Sequence, residues 1–333
     1  MKKAPHLNTG FRKNTNVKLL NNPDVKAMIT ALSGGVGAAR FLTGLLKIVK
    51  EEDVSVIVNT GDDIEMFGLH ISPDVDIVAY TLAGIVDEEK GWGIRGDTFQ
   101  ALEMLKKLGL ETWFALGDRD FATHIFRTDL LKKGFTLSQA TDEICNSLGL
   151  KFKLLPMTND KFETRIIIDG GSVHFEEYFV KRRSNDNVLG VEFVGAESAK
   201  PSPKVIDSIL DTDVVIICPS NPIVSIGTIL SVDEIRDALR KTKARVVGIS
   251  PIVAGAPIKG PADKILRGLG FEVSSFGVAN LYSDFLDTFV IDNLDADNKG
   301  RIENLGIQVK ITNTIMKNLE DKVQLAKVVL EKP

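Results

Sequence analysis

The fold of this chain is decided by residues 27–40, which read AMITALSGGVGAAR. Residues 27–32 form a short apolar run, and a glycine-rich turn follows it directly. Apolar residues then recur at positions 41, 42, 45, 46 and 49, which is the spacing of one buried helix face. Residues 54–58, VSVIV, suit a parallel strand that is buried on both faces. The sequence therefore predicts a βαβ unit within an α/β fold that has a mainly parallel sheet.

Acidic residues follow the second predicted strand. The segment NTGDD occupies residues 59–63, and SPDVD occupies residues 72–76. Open parallel sheets bind ligands in the crevice beyond the carboxyl ends of their strands, so we expect these segments to meet the glycine turn there. Carboxylates are the ligands through which Mg²⁺ bridges a protein to phosphates, although aspartate is also common in turns and helix caps. The candidate metal ligands are Asp62, Asp63, Asp74 and Asp76.

The glycine turn itself is suited to a phosphate group. Backbone amides can approach phosphate oxygens where side chains are absent, and the N-terminus of the following helix adds partial positive charge. The alternative is that the glycines serve packing alone. The candidate ligand contacts in this unit are Ser33, Gly34, Gly35 and Gly37, with Asn59 and Thr60 at the end of the second strand.

Two familiar nucleotide-binding motifs do not fit this turn. A P-loop is excluded because no Gly-Lys-Ser or Gly-Lys-Thr follows it. Arg40 stands where a dinucleotide fingerprint has its third glycine, and Asn59 stands where NAD-binding proteins carry an acidic residue. An NAD-dependent oxidoreductase is therefore disfavoured.

Polar residues also follow two later predicted strands, at residues 112–116 and 213–217. Arg119, His124 and Arg127 could neutralise an anionic substrate, whereas a surface ion-pair turn is the alternative. Ser220 and Asn221 could contact a base or a ribose, although a turn framed by prolines needs no function. The candidate ligand contacts in these segments are Asp118, Arg119, His124, Ser220 and Asn221, and Asp97 and Thr98, at the start of an earlier predicted helix, could extend the acidic cluster.

The pattern of predicted elements suggests one large core with an insertion. Residues 133–187 break the alternation of strands and helices with a capped amphipathic helix and a hairpin around Asp169-Gly170-Gly171-Ser172. We therefore predict a core at 27–132 and 188–333, an inserted α+β subdomain at 133–187, and a loose N-terminal arm at 1–26.

The composition excludes several classes of function. The net charge of -4, from 41 basic and 45 acidic residues, is of the wrong sign for a protein that binds nucleic acid through bulk electrostatics. Two isolated cysteines make neither a disulfide framework nor a zinc site, which favours a reducing cytoplasm. No uninterrupted apolar stretch is long enough to span a membrane.

With these residues assembled, the chain resembles the CofD family, whose bacterial members are called FbiA. The resemblance covers nearly everything between residues 29 and 292, and its motifs occur in order. They are SGGVG at 33–37, NTGDD at 59–63, GLH with SPD at 68–74, WG at 92–93, LGDRD with ATH at 116–124, LPM at 155–157, PSNP at 219–222 and SPI at 250–252.

This resemblance implies a Rossmann-like three-layer α/β/α core and a magnesium-dependent 2-phospho-L-lactate transferase of coenzyme F-420 biosynthesis. Such an enzyme moves a 2-phospholactyl group, or in some bacterial members a phosphoenolpyruvyl group, from a guanosine diphosphate-linked donor to the deazaflavin alcohol Fo, and releases GMP. The family also implies a homodimer.

The resemblance assigns roles to the candidates. The glycine turn would contact the diphosphate, Ser220 and Asn221 the guanosine side, and the aspartates the metal or Fo. We expect the catalytic set to be Asp76, Asp63 and Arg119, with Asp76 preferred as the base and Arg119 holding the diphosphate. The alternative is a nucleotide-sugar-binding regulator of the YvcK type, which shares the glycine turn and the Asp-Asp pair but lacks the segment GDRDFATH.

Overall fold

A seven-stranded sheet, parallel throughout, runs through the middle of the computed structural model, which describes residues 27–332. Helices cover both faces of this sheet. The α/β class and the Rossmann-like architecture predicted from the sequence are confirmed. The predicted N-terminal arm, residues 1–26, lies outside the described residues.

The strands are β1 (Ile29–Ser33), β2 (Val54–Val58), β3 (Ile64–Met66), β4 (Leu69–Ile71), β5 (Lys153–Pro156), β6 (Glu163–Ile168), β7 (Gly171–His174), β8 (Gly190–Val194), β9 (Val214–Ile217), β10 (Arg245–Ile249), β11 (Ile252–Val253), β12 (Ala256–Pro257), β13 (Thr288–Asp292) and β14 (Gln308–Thr312).

The helices are α1 (Gly35–Leu45), α2 (Pro73–Leu82), α3 (Gln100–Lys107), α4 (Asp118–Lys132), α5 (Leu137–Ser147), α6 (Val205–Leu210), α7 (Ile226–Ser231), α8 (Ile235–Lys241), α9 (Ala262–Gly268), α10 (Ser275–Leu281), α11 (Lys299–Glu303) and α12 (Leu319–Leu330). Short 3₁₀ segments cover Glu51–Asp53 and Asn293–Asn298, and a π-helical turn covers Glu177–Lys181.

The order of the strands creates a crevice beside β1. The order is β14-β13-β10-β9-β1-β2-β5, so the chain leaves β1 toward β2 on one side and returns at β9 on the other. Connections on the two sides of such a switch point diverge, which opens a crevice at the carboxyl ends of the strands. The loops after β1, β2 and β9 therefore meet at one place.

Two hydrophobic layers hold the sheet in position. On one face α1 packs against α2 and α12, and its Phe41, Leu42 and Leu45 are fully buried. Helices α6 to α11 contribute the core of the opposite face. The strands β1 and β2 are buried along their whole length, as the VSVIV pattern predicts.

A small antiparallel sheet, in the order β7-β6-β8, lies outside this core. The hairpin predicted around Gly170 and Gly171 is its β6–β7 pair. Two strands do not fit the bounds predicted for the insertion. Strand β5 lies inside these bounds but pairs with β2 in the main sheet, and β8 lies beyond residue 187 but pairs with β6 in the small sheet. The predicted division at 133 and 187 therefore does not follow the sheets.

One predicted strand is wrong. Residues 112–116 pair with no strand of the described part of the chain, and Trp113 to Leu116 line the wall of a cavity instead. The last helix starts at Leu319, where Asn318 caps it by accepting a hydrogen bond from the Asp321 amide. Within residues 27–332 no helix is long and apolar enough to cross a membrane.

Candidate active site

A cavity of about 720 Å³ occupies the crevice at the switch point. Clefts that enclose small ligands typically measure about 300–1,000 Å³. Among the residues proposed from the sequence, the cavity is lined by Gly34, Gly35, Gly37, Asp62, Asp74, Asp76, His124, Ser220 and Asn221. The proposed residues outside its lining are Ser33, Asn59, Thr60, Asp63, Asp97, Thr98, Asp118 and Arg119.

The glycine turn is fixed by the turn that follows β9. The Ser220 hydroxyl donates to the Gly34 carbonyl oxygen at 2.6 Å and accepts from the Gly34 amide at 3.2 Å. A Cβ on Gly37 would lie 2.5 Å from the Pro219 carbonyl oxygen, so this position has no room for a side chain. The Asn221 Oδ1 accepts from the amides of residues 223 and 224. The Ser220 hydroxyl and the Asn221 Oδ1 therefore hold the cavity wall in shape, and their existing hydrogen bonds leave them less available to a ligand.

Two buried aspartates are joined by Asn59. Its Nδ2 donates to Asp62 Oδ2 and to Asp74 Oδ2, at 3.0 Å each, while its Oδ1 accepts from the Gly61 amide. Asn59 is fully buried and does not line the cavity, so in this structure it positions the carboxylates that do. The backbone of Gly35 hydrogen-bonds Asp74, which places a carboxylate at the helix terminus proposed for phosphate.

A third carboxylate, Glu176, reaches the same cavity from the end of the hairpin. Burial, together with the charges of Asp74 and Asp63, raises the pKa of Glu176 to about 8. Burial raises the pKa of Asp74 to about 7, and burial with the charges of Asp74 and Glu176 raises that of Asp62. Three acidic side chains are therefore crowded in one buried place where ionisation of each disfavours ionisation of the others, and no cation of residues 27–332 forms an ion pair with them. Sequence reasoning missed Glu176 because no motif surrounds it.

Asp76 belongs to a buried ion-pair network. Both of its oxygens accept from the guanidinium of Arg127, which is fully buried, with an Nη1–Oδ2 distance of 2.9 Å. Arg127 Nη1 also donates to His124 Nδ1 at 3.3 Å, and because a guanidinium has only donors, the His124 proton is on Nε2. Nε2 lies 3.1 Å from Asp120 Oδ1, which also accepts from the Tyr80 hydroxyl.

This network changes the expected roles of its members. Arg127 cannot neutralise a substrate, since it has no exposed surface and both its terminal nitrogens contact Asp76. Asp76 lines the cavity but has both oxygens engaged, which disfavours it as a proton acceptor. The network ties α2 to α4 at the wall of the cavity.

Asp63 does not line the cavity, and its side chain is bonded to neighbouring residues. Its Oδ2 lies 2.9 Å from His70 Nε2, and its Oδ1 accepts from the Ser72 hydroxyl at 2.7 Å. His174 Nε2 lies 3.1 Å from the Asp63 carbonyl oxygen. Because its oxygens are already bonded and it does not line the cavity, the structure does not support Asp63 as a catalytic or metal-binding residue.

The GDRD segment forms the start of helix α4. Asp97 accepts from the backbone amides of Arg119 and Asp120 and thereby caps α4. Asp118 accepts from the Thr98 hydroxyl and from two amides at the start of α3. Arg119 is exposed and donates to the Arg95 carbonyl oxygen at 3.2 Å. The predicted role of Arg119 in holding a diphosphate is therefore not supported by its position.

Aromatic side chains form another wall that sequence reasoning did not find. Both tryptophans of the chain, Trp92 and Trp113, line the cavity. Phe114, Phe175 and Phe179 join them, and the last two rings stack on each other with centroids 5.6 Å apart. Such a wall suits a planar ring system, because aromatic faces attract one another at this range.

Basic side chains also line the cavity, namely Arg40, Lys90, Lys259 and Lys317. Lys90 pairs with Asp87 at 3.1 Å. Within residues 27–332 the other three form no ion pair with a carboxylate. The cavity thus combines buried acidic side chains with three basic side chains that form no ion pair within residues 27–332.

The acidic residues fit a divalent cation in part. Among the described residues none forms a hydrogen bond with the buried Asp62 Oδ1, and the mutual repulsion of Asp62 with Asp74 and Glu176 would be relieved by positive charge. Within the described part of the chain, however, no three acidic, histidine or cysteine side chains are grouped closely enough to hold a metal by themselves. The donor set therefore suits Mg²⁺ held by one or two carboxylates together with phosphate oxygens.

Fold and site together define a class: a Rossmann-like α/β protein with a ligand cavity at the carboxyl edge of its sheet. Residues 29–327 match the family model described as 2-phospho-L-lactate transferase CofD. The chain belongs to the CofD family.

Relatives with two different names are almost equally similar to this chain. A phosphoenolpyruvate transferase of Streptomyces coelicolor is 45% identical over 308 residues, which cover 91% of this chain and 97% of the relative. A 2-phospho-L-lactate transferase of Methanothermobacter thermautotrophicus is 44% identical over 305 residues, with 92% and 98% covered. Overall identity therefore does not distinguish the two names.

A solved structure supports the fold independently. A crystal structure of a UPF0052-family protein from Bacillus halodurans superimposes with a TM-score of 0.61 and covers 92% of this chain and 100% of its own. Its sequence is only 16% identical, so the likeness concerns the fold alone.

Proposed function

We propose that this protein transfers a 2-phospholactyl or phosphoenolpyruvyl group from a guanosine diphosphate-linked donor to the deazaflavin alcohol Fo, and releases GMP. One observation carries the proposal: carboxylates, cations and an aromatic wall line the same cavity in a chain of the CofD family. The aromatic wall suits the planar deazaflavin ring, and the charged groups suit a diphosphate with its metal. The names of both groups of relatives agree with such a transfer.

The proposed step is a displacement at phosphorus. A hydroxyl oxygen of Fo bonds to the phosphorus that carries the three-carbon acid, and the bond from that phosphorus to the oxygen bridging to GMP breaks. GMP leaves with the electron pair, and the hydroxyl proton passes to a carboxylate. Reactions of this type depend on positioning and charge neutralisation more than on covalent catalysis.

Glu176 is the carboxylate that we propose as the proton acceptor. It lines the cavity, and no side chain of the described residues donates a hydrogen bond to its carboxylate, whereas both oxygens of Asp76 are bonded to Arg127. Its pKa of about 8 lies close to neutral pH, where a general base is most effective. Positive charge beside Asp62 and Asp74 would lower this pKa and ionise Glu176 when the substrates are bound.

Asp62 and Asp74 are the residues that we propose to hold Mg²⁺. When bound, the cation would neutralise charge on the phosphate oxygens during transfer. Asn59 would hold the two carboxylates close to each other, since its amide donates a hydrogen bond to each of them.

The test uses the two tryptophans in the cavity as reporters. Purified protein is titrated with Fo in the presence of Mg²⁺ while tryptophan fluorescence is recorded, and the guanylated donor is then added and GMP is measured. We expect quenching on binding of Fo, followed by release of one GMP for each Fo converted. Absence of Fo binding together with tight binding of a UDP-sugar would instead support a YvcK-like regulator.

A further inference from the structure

Two of the cations that line the cavity, Arg40 and Lys259, form no ion pair with a carboxylate of residues 27–332. Arg40 lies on α1 one turn beyond Gly37, and its guanidinium donates to the Met316 carbonyl oxygen. Lys259 lies on the loop between β12 and α9, more than 200 residues later in the chain. Both line the cavity, and within residues 27–332 neither forms an ion pair. An unpaired charge beside a cavity is a common feature of ligand sites.

These two cations are close enough to repel each other. Burial and the charge of Arg40 both lower the pKa of Lys259. The Lys259 Nζ lies 2.8 Å from the point where a Cβ on Gly91 would stand, so the ammonium group rests against the loop that carries Trp92. An anion between Arg40 and Lys259 would remove this repulsion. It would also join α1 to the loop that carries Lys259 and, through it, to the loop that carries Trp92.

The glycine turn cannot supply all the positive charge that a diphosphate needs. Its Gly35 backbone already bonds the Asp74 carboxylate, and the neighbouring carboxylates repel anions unless a metal is present. A guanidinium and an ammonium bind oxyanions directly, by charge-assisted hydrogen bonds.

We propose that Arg40 and Lys259 form an anion subsite that binds an oxyanion of the donor, either its second phosphate or the carboxylate of its three-carbon acid. The proposal rests on the proposed function for the identity of the donor. The subsite would hold the end of the donor that is transferred, while the carboxylates and their metal act on the bond that breaks. Its chemistry, an oxyanion between two cations, is the same for both sources.

The test compares Lys259→Met and Arg40→Met with Lys259→Arg and with a matched control, Lys322→Met. Lys322 also senses the charge of Arg40 but does not line the cavity, so its loss changes the local charge without removing a subsite contact. Dissociation constants for GMP, GDP and Fo are measured by tryptophan fluorescence, and KM and kcat are measured with the full donor.

We expect each methionine variant to weaken GDP or donor binding about 10- to 100-fold, the range for loss of a hydrogen bond to a charged group. Fo binding should stay within about twofold, Lys259→Arg should restore most of the affinity, and Lys322→Met should behave like the unaltered protein. A defect with GDP but not GMP identifies the second phosphate, whereas a defect only with the full donor identifies the carboxylate. Unchanged constants for every ligand in both methionine variants would overturn the subsite.

Failure of the anion subsite and failure of the proposed function can be distinguished. If the unaltered protein releases no GMP from the donor, the transferase proposal fails. The subsite is then tested with inorganic pyrophosphate alone, whose binding should still weaken in Lys259→Met and Arg40→Met and not in Lys322→Met.

Discussion

Ser220 and Gly34 are joined by two hydrogen bonds that connect the loop after β9 to the turn after β1. The hydroxyl donates to the Gly34 carbonyl oxygen and accepts from the Gly34 amide, and the Ser220 side chain is buried. The side chain predicted to contact guanosine therefore holds the glycine turn in its shape.

Ser220→Ala tests this structural role. We expect the free energy of unfolding to fall by about 1–3 kcal/mol, because a buried amide and a buried carbonyl group lose their partner. Urea denaturation measures the change, and GDP affinity should fall with it as the turn loosens. Weakened GDP binding with an unchanged unfolding free energy would instead favour direct contact between Ser220 and the nucleotide.

Asp76 and Arg127 provide a second test. Arg127→Met leaves a buried carboxylate without its partner, and we expect a loss of about 3–5 kcal/mol of stability. The double variant Arg127→Met with Asp76→Leu removes both charges and should recover much of this loss. Lys133→Met breaks an exposed pair with Asp129 and serves as the control, with an expected change below about 1 kcal/mol. A small effect of Arg127→Met in urea denaturation would contradict the buried network.

The raised carboxyl pKa values predict how stability depends on pH. Asp74, at about 7, and Glu176, at about 8, bind protons in the folded protein at pH values where the unfolded chain has released them. Stability without metal should therefore be highest near pH 5 and fall as the pH rises toward 8, by up to about 1.4 kcal/mol per pH unit for each group. Thermal unfolding midpoints at pH 5, 6, 7 and 8 measure this slope.

Two further measurements identify the groups that cause the pH dependence of the unfolding midpoint. Glu176→Gln removes one titrating group and should flatten the curve between pH 6 and 8. Addition of Mg²⁺ should raise the melting temperature most at pH 8, because a cation bound by Asp62 and Asp74 favours their ionised forms. A melting temperature that is independent of pH from 5 to 8 would show that these carboxyl groups are not protonated in the folded state.

The sequence predicted the βαβ unit and its crevice because both depend on local patterns. The apolar runs at β1 and β2 and the spacing of Phe41, Leu42 and Leu45 mark the elements directly. Because the carboxyl ends of parallel strands meet at one edge of the sheet, Asp62 and Asp74 are expected beside the glycine turn. The cavity lining agrees, since it contains both aspartates and the glycines of the turn.

The roles within the site depended on partners that are distant in the chain. Whether Asp76 is a free base or half of an ion pair is decided by Arg127, 51 residues later. Glu176 enters the acidic group from another sheet, and Lys259 meets Arg40 only through the tertiary fold. Asp97 and Asp118 look like ligand contacts by type, but they satisfy backbone amides at the starts of α3 and α4. Residue type alone could not separate these cases.

Gly37→Ala tests whether the glycine turn is required by packing. Its added Cβ would stand 2.5 Å from the Pro219 carbonyl oxygen, a backbone atom that cannot move without shifting the turn after β9. We expect a loss of stability of about 1–3 kcal/mol, the usual cost of overpacking, and weaker GDP binding. Gly300→Ala in α11 is the matched control, since its Cβ meets nothing within 4 Å. It should be neutral or stabilise the protein by up to about 1 kcal/mol. If Gly37→Ala were as stable as Gly300→Ala in urea but bound GDP poorly, the glycine would be needed for the approach of a ligand and not for the contact with Pro219.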